Sequence, residues 1–459
     1  MKELSPQEAR SLYIAHFIDT YVEEIASGLS AHGEKLSKAQ KIWLGFCLSS
    51  ILRLNNLNWV AYSKHSFNAY NYGALSYMFR NSPICWSSLF TASIQLILKT
   101  YGIKKGTLVL DDSSLGRSQG TKKIYKVCKT RDKKTGGYVN SQNFVFLLLV
   151  TDKASIPVGF CFYEYDPVYA IWRKEDNRLK KQKVLKEHRP IEPEKDIVSY
   201  PSKVALSVDL IRSFQKTFPS LQIDGIVGDC LYGTLEWVSC VQKIYPKAQI
   251  LSGLRGNQKI FNSNNELVLD EYFSSKALIE KKVYIRNKAE QIYYTTDIVK
   301  VKAHKCKRHV IGYKFKGNNN LRYIFASDMT WGVKEVVYLY SLRWLVEVFI
   351  QDWKQCEGFG QLAKHIGEDG ASKGVFLSLL FDHCLLLHPL QKVRFKNNLP
   401  AYTVGSLRDR AAQEWLMEFI GQIIDKPNPR KIWKQVASQV KDIFILRESS
   451  KHFSGAKAA

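Results

Sequence analysis

Tyr340, Arg343, Glu347 and Lys354 lie on one segment, at offsets of three, seven and fourteen from the tyrosine. At about 100° of turn per residue, a continuous helix would bring all four onto one narrow strip. A carboxylate flanked by two cations and a phenol suits one kind of chemistry. Glu347 would bind a divalent metal while Arg343 and Lys354 hold phosphates beside it. Arg and Glu four apart also form ordinary solvated pairs on amphipathic helices, and Val333, Val336 and Trp344 fall near the same strip. The helix alone leaves both readings open.

Further carboxylates decide between them. A two-metal phosphoryl-transfer site needs acids from distant parts of the chain, meeting at strand ends around ions about 3.5–4 Å apart. Two acidic positions end apolar runs: Asp111, with its neighbour Asp112, in Leu108-Val-Leu-Asp-Asp-Ser, and Asp229 in Ile223-Asp-Gly-Ile-Val-Gly-Asp. An aspartate in such a place is often a turn starter or helix cap. Here the preceding strands are apolar enough to be buried, where a carboxylate at the tip requires a partner. Gly225, Gly228 and Gly233 let backbone approach closely around Asp229.

The elements that must position these acids can be read from periodicity. Residues 1–103 read as helical, with Ile42, Leu44, Phe46, Cys47 and Ile51 at helical spacing and many aromatics among Lys, Arg and Asn. That mixture suits a helical DNA-binding region, and also plain helix packing. From Thr107 the pattern turns to strands: Thr107–Leu110, Asn143–Thr151 and Ile156–Glu164, an antiparallel portion of a sheet. Lys203–Phe218 is an amphipathic helix crossing to the strand Ile223–Gly228, which implies a parallel pair. Residues 253–328 alternate with period two and form a β-rich insertion. Residues 104–252 and 329–360 make the α/β catalytic domain around it, and 361–459 is a helical C-terminal region. Arg173–Lys195 is dense in charge and reads as an exposed arm suited to a DNA backbone or simply to water. The tail Ser449–Ala459 is expected to fray.

Composition narrows the partners. Sixty-seven Lys and Arg against 42 Asp and Glu leave a net charge of +25 over 459 residues, so a polyanion is expected. Nucleic acid fits better than membrane, because the cations are spread along the chain. The apolar run Phe376–Leu390 is interrupted by Asp382 and His383 and reads as a buried helix. Nine cysteines without a CxxC pair read as reduced thiols of a cytoplasmic protein. His304, Cys306 and His309 lack a second ligand cluster and are crowded by lysines, so zinc is not expected there.

Taken in order, the three acidic motifs resemble those of a known family. Tyr340-x-x-Arg343-x-x-x-Glu347 with Lys354 seven further on matches the Y-R-E-K signature of bacterial and archaeal insertion-sequence DDE transposases of the insertion-sequence-four type. Asp111-Asp112-Ser113 is similar to the family's first-aspartate motif, and Asp229-Cys230-Leu231-Tyr232-Gly233 to its second. The resemblance spans roughly residues 105 to 360 and implies an RNase H-like α/β fold, a mixed sheet with flanking helices. It implies that Asp111, Asp229 and Glu347 bind two Mg²⁺ ions, for which Mn²⁺ can substitute. Tyr340, Arg343 and Lys354 would contact phosphates of double-stranded DNA at the transposon end, in a synaptic homodimer. The double aspartate makes the first ligand ambiguous; Asp111 is preferred because Ser113 then takes the family's Ser/Thr position. Cys230 departs from the family's small or basic residue.

The expected function is cut-and-paste DNA transposition in the prokaryotic cytoplasm, by hydrolysis at the element's end followed by strand transfer. Trp331 is a candidate platform for a flipped base. The alternatives are an RNase H-like nuclease that cuts without joining, and a catalytically inactive DNA-binding derivative.

Overall fold

A computed structural model describes residues 12–443, apart from 31–32, 68, 119, 122, 132–135, 263–264 and 286–287. The expected frayed tail, Ser449–Ala459, lies outside the described residues. The chain forms two compact units, one of residues Ile97–Asp352 and one combining Met1–Leu96 with Trp353–Ala459.

The second of these is helical. It contains α1 (His16–Ser30), α2 (Lys38–Arg53), α3 (Trp59–Lys64), α4 (Tyr72–Asn81) and most of α5 (Trp86–Tyr101). The α2 helix is buried nearly all round and is started by a capping box between Ser37 and Gln40. Tyr13 stacks on Phe46 with centroids 4.2 Å apart. The Arg53 guanidinium lies between the Tyr13 and Trp415 rings, 3.5 and 3.9 Å from their centroids. The aromatics of this region thus serve largely as core.

The other unit carries a mixed sheet with flanking helices. Its elements are β1 (Lys105–Arg117), β2 (Val127–Arg131), β3 (Tyr138–Val150), β4 (Ser155–Tyr163), α6 (Pro167–Lys181), α7 (Lys203–Thr217), β5 (Gln222–Gly228), α8 (Leu235–Ile244) and β6 (Gln249–Leu254). Then follow β7 (Lys259–Asn262), β8 (Asn265–Val268), α9 (Leu269–Ser274), β9 (Ile279–Ile285), β10 (Lys288–Val301), β11 (Cys306–Phe315), β12 (Arg322–Ala326), α10 (Val333–Ser341) and α11 (Trp344–Cys356). After α11 the chain returns to the helical unit with α12 (Phe359–Leu362), α13 (Glu368–Leu386), α14 (Pro389–Lys396), α15 (Val404–Ile424) and α16 (Pro429–Ile443).

The strand order is β2-β3-β1-β5-β6-β12-β11-β10-β7-β8, with β4 also on β3 and β9 also on β10. β3 is antiparallel to β1 and β4, while β1, β5 and β6 run parallel. The central strands are continuously apolar because helices cover them; Phe144 to Leu149 are fully buried. Residues 253–328, expected as a small β-rich insertion, continue this sheet: β12 pairs antiparallel with β6 from Tyr323↔Leu254 to Ala326↔Leu251.

Three local expectations need correction. The strand expected over Thr107–Leu110 does not stop before the aspartates: β1 runs on through Asp111 and Asp112 to Arg117, because β3 pairs with it along that whole length. The segment around Arg173–Lys195 is not polar coil throughout but opens with α6, capped by Asp166 with Pro167 in the first turn. Asp176 is buried there and paired with Lys180 at 2.7 Å and Arg189 at 2.9 Å, which folds the arm back on itself. The single helix expected from Tyr340 to Lys354 is also broken. α10 ends at Ser341, and Leu342-Arg343 form a turn before α11. Arg343 and Val346 donate to the carbonyls of Tyr340 and Arg343, three residues back, at 3.1 and 3.2 Å. Such tighter winding changes the angular spacing, so the one-strip geometry does not hold across the break.

Among the described residues no single helix is long and apolar enough to cross a membrane. The bent pair α13 and α14, 55° apart, meets that length and composition together, but most of α13 is buried.

Candidate active site

The site forms where two parallel strands part. β1 pairs with β5 only as far as Val109↔Val227, two residues short of Asp111. Asp229 follows Gly228, the last residue of β5. Crevices at the carboxyl ends of parallel strands are the usual ligand sites of open α/β sheets. Single oxygens of Asp111, Asp112 and Asp229 all lie within 4.8 Å of one another.

Glycines seat the surrounding elements. Leu339 of α10 lies against Gly225 of β5, in space that a Cβ would need, which sets the helix leading to Arg343. A Cβ on Gly228 would meet Tyr232 Cβ at 2.8 Å and the edge of its ring at 3.1 Å. A Cβ on Gly253, in β6, would meet Cys230 Sγ at 2.5 Å and the Tyr340 hydroxyl at 2.9 Å. The loop after β5 is held further by Ser252, whose Oγ donates to the Asp229 carbonyl at 2.6 Å. His304 hydrogen-bonds the Gly233 carbonyl through Nε2 at 2.9 Å. That is what His304 does here, while His309 Nε2 pairs with Thr296 Oγ1 at 2.6 Å.

Arg343 joins the acids that come from distant segments. Its Nη1 donates to Asp111 Oδ2 at 2.8 Å, and its Nη2 to Glu347 Oε1 at 2.5 Å. Glu347 is therefore one guanidinium away from Asp111 and lies outside the group of three close aspartates. Asp112 is paired with the Lys203 ammonium at the start of α7. Successive strand residues point to opposite faces, so the neighbouring aspartates meet cations from different segments, the α10–α11 turn and the start of α7. Asp229 is in no ion pair among the described residues; its Oδ1 accepts the Leu231 N–H at 2.8 Å.

The electrostatics follow from burial. Burial pushes the Asp111 carboxyl up from 3.8 to about 6, against the lowering effect of Arg343 and the Asp112 N–H. Burial likewise raises Asp229, opposed by the Leu231 N–H. For Arg343, burial disfavours the charge, but Asp111, Tyr340 and Glu347 outweigh it and hold its pKa above the ordinary value. Burial raises the Tyr340 phenol, so it stays protonated. Lys354 stands in the last turn of α11, in the part belonging to the helical unit, and burial lowers its pKa. Trp331 is half-buried just before α10.

Lys203 is the site residue that sequence reasoning missed. A signal was present. A lysine in the first turn opposes the helix dipole, a cost of about 0.3–1 kcal/mol unless an acid answers it. Ser202 caps that turn by accepting the Ala205 N–H at 3.1 Å, so the helix start is firmly placed and Lys203 with it.

The donors fit a hard divalent cation. The cluster offers carboxylate oxygens and neither imidazole nor thiolate among its close members, the preference of Mg²⁺. Two of its buried acids remain short of positive charge.

No protein-family model and no curated protein matches the chain. Among solved structures it is similar to the piggyBac transposase in a synaptic complex with hairpin DNA. The identity is 11% and the TM-score 0.40, over 95% of this chain and 85% of that one. Similarity at that level does not establish a shared fold.

Proposed function

We propose that this chain is an RNase H-like DDE-type DNA transposase that cuts and rejoins DNA at the ends of an insertion sequence. The carrying observation is the meeting of Asp111, Asp112 and Asp229 at the parting of β1 and β5, with Arg343 tying in Glu347. The order β4-β3-β1-β5-β6, antiparallel then parallel, supports the RNase H-like part of the reading. The net charge of +25 supports a nucleic-acid substrate.

Asp111, Asp229 and Glu347 would hold two Mg²⁺ or Mn²⁺ ions. When bound, the ions supply activation of the attacking water or hydroxyl and neutralise charge building on the phosphoryl group. The chain's own residues do the rest. The planar fork of Arg343, released from its two carboxylates, binds a non-bridging phosphate oxygen pair. Tyr340 stays protonated and braces the second-aspartate loop through Gly253. Lys354 contributes a further phosphate contact. No covalent enzyme intermediate is required. The proposal extends to a homodimeric synapse and to action on the cell's nucleoid.

The test is strand transfer. Purified protein, Mg²⁺ and a duplex carrying a pre-cleaved element end should give joined product with a second duplex. Glu347→Gln should lose nicking and joining while binding the same duplex. Nicking without joined product would make the chain a nuclease of the same fold. DNA binding without any divalent-dependent nicking would make it an inactive derivative.

A further inference from the structure

Two aspartates stand side by side in β1, just past the end of its pairing with β5, and their surroundings differ. Among the described residues Lys203 makes its ion pair with Asp112 only, while acting on Asp229 at longer range, and its ammonium lies 5.0 Å from the centroid of the Tyr163 ring. Arg343 divides one positive charge between Asp111 and Glu347. Asp229 shares in no ion pair among the described residues. Formal charges then separate into two groups. Asp112 with Lys203 sums to zero, whereas Asp111, Asp229 and Glu347 with Arg343 sum to −2. The unmet negative charge lies on the Asp111 side.

The rigidity of the pair supports a fixed role. Lys203 is only 17% exposed and Asp112 23%. The lysine stands in the first turn of α7, whose start is fixed by the Ser202 cap and whose body packs on β3 and β4. β4 itself is held on β3 next to β1. An ammonium so placed is a permanent feature of the site's wall, and a cation at a helix N-terminus stays there only because an acid answers it.

We propose that Lys203 is a positioning residue that takes Asp112 out of the ligand set, leaving Asp111, Asp229 and Glu347 to receive the cation. The inference rests on the reading of the cluster as a divalent-metal site, and it assigns the first ligand between two adjacent candidates. Lys203 acts through charge and geometry on Asp112 and touches neither metal nor scissile phosphate.

Mn²⁺ binding to the full chain without DNA tests it, with free Mn²⁺ read from its electron paramagnetic resonance signal and folding checked by thermal melting. Lys203→Gln removes a positive charge beside the ion, so affinity should rise roughly tenfold. Lys203→Arg should keep the wild-type affinity. The double variant Asp112→Asn with Lys203→Gln removes one charge of each sign and should bind within about threefold of wild type, while Asp111→Asn should lose most binding. The inference is overturned if the double variant loses as much as Asp111→Asn, because Asp112 is then a ligand. It is overturned equally if Lys203→Gln leaves affinity unchanged. Failure of the wild-type chain to bind Mn²⁺ at all would instead sink the metal reading itself, and this inference with it.

Discussion

Arg343 Nη1 donates to Asp111 Oδ2 at 2.8 Å, so a cation from the turn between α10 and α11 answers an acid in the middle of β1. Both groups are largely withdrawn from water, with side chains 25% and 13% exposed. The pair therefore matters more than a surface bridge of the same length.

Removing the arginine should expose that dependence. Arg343→Gln leaves Asp111 and Glu347 without their shared cation, and after discounting for partial exposure the cost should be about 2 kcal/mol in EDTA. Added Mg²⁺ should recover more stability for the variant than for wild type. Chemical denaturation with and without the ion reads the difference; equal Mg²⁺ effects would refute the coupling.

The contribution of Asp111 to the stability of the metal-free protein should fall as pH rises through the acid range. The Asp111 carboxyl is raised from 3.8 to about 6, so the folded state holds its proton more tightly than the unfolded one. Below about 4 the group is protonated in both states and costs nothing. Between about 4 and 6 its ionisation is taxed by the fold, up to roughly 3 kcal/mol before solvent screening. Asp111→Asn should flatten this part of the pH–stability curve in EDTA, and Mg²⁺ should suppress it. An identical slope in the variant would count against the assignment.

Gly253 should tolerate no side chain. Alanine there would press on Cys230 Sγ and the Tyr340 hydroxyl, at an overpacking cost of about 1–3 kcal/mol. Adding Cys230→Gly removes the nearer obstacle and should restore part of the melting temperature. No gain in the double variant would mean that the loop does not pack as described.

DNA affinity should fall steeply with salt. With +25 net charge, several phosphates are neutralised on binding, and each contributes about −0.9 to the slope of log K against log salt. Lys354→Ala should reduce that slope by about one if the lysine contacts a phosphate. An unchanged slope would remove it from the interface.

Much of the catalytic unit's scaffold was legible in the chain. The apolar runs before Asp111 and Asp229 are β1 and β5, and the amphipathic stretch from Lys203 is α7, because those patterns are set locally by burial on one face or both. The break at Leu342-Arg343 was not legible. No Pro or Gly marks it, and the seating of Leu339 against Gly225 is a tertiary contact between residues far apart in sequence. Strand β6 escaped notice because it is short and is paired by segments from elsewhere, β5 and β12. The role of Asp112 was hidden for a similar reason: its partner arrives from α7, and no local spacing announces it. The buried Asp176, amid a charge-rich stretch that looked uniformly solvated, shows the same limit.

Asp111 and Arg343 are 232 positions apart, and the β6–β12 pairing closes part of the chain between them. Assembly of the reactive centre is thus among the costlier loop closures available to the chain, and contacts of this span form slowly. A nascent polypeptide still short of Arg343 carries Asp111 without its cation. The proposed activity would become available only after nearly all of Ile97–Asp352 has been synthesised and folded.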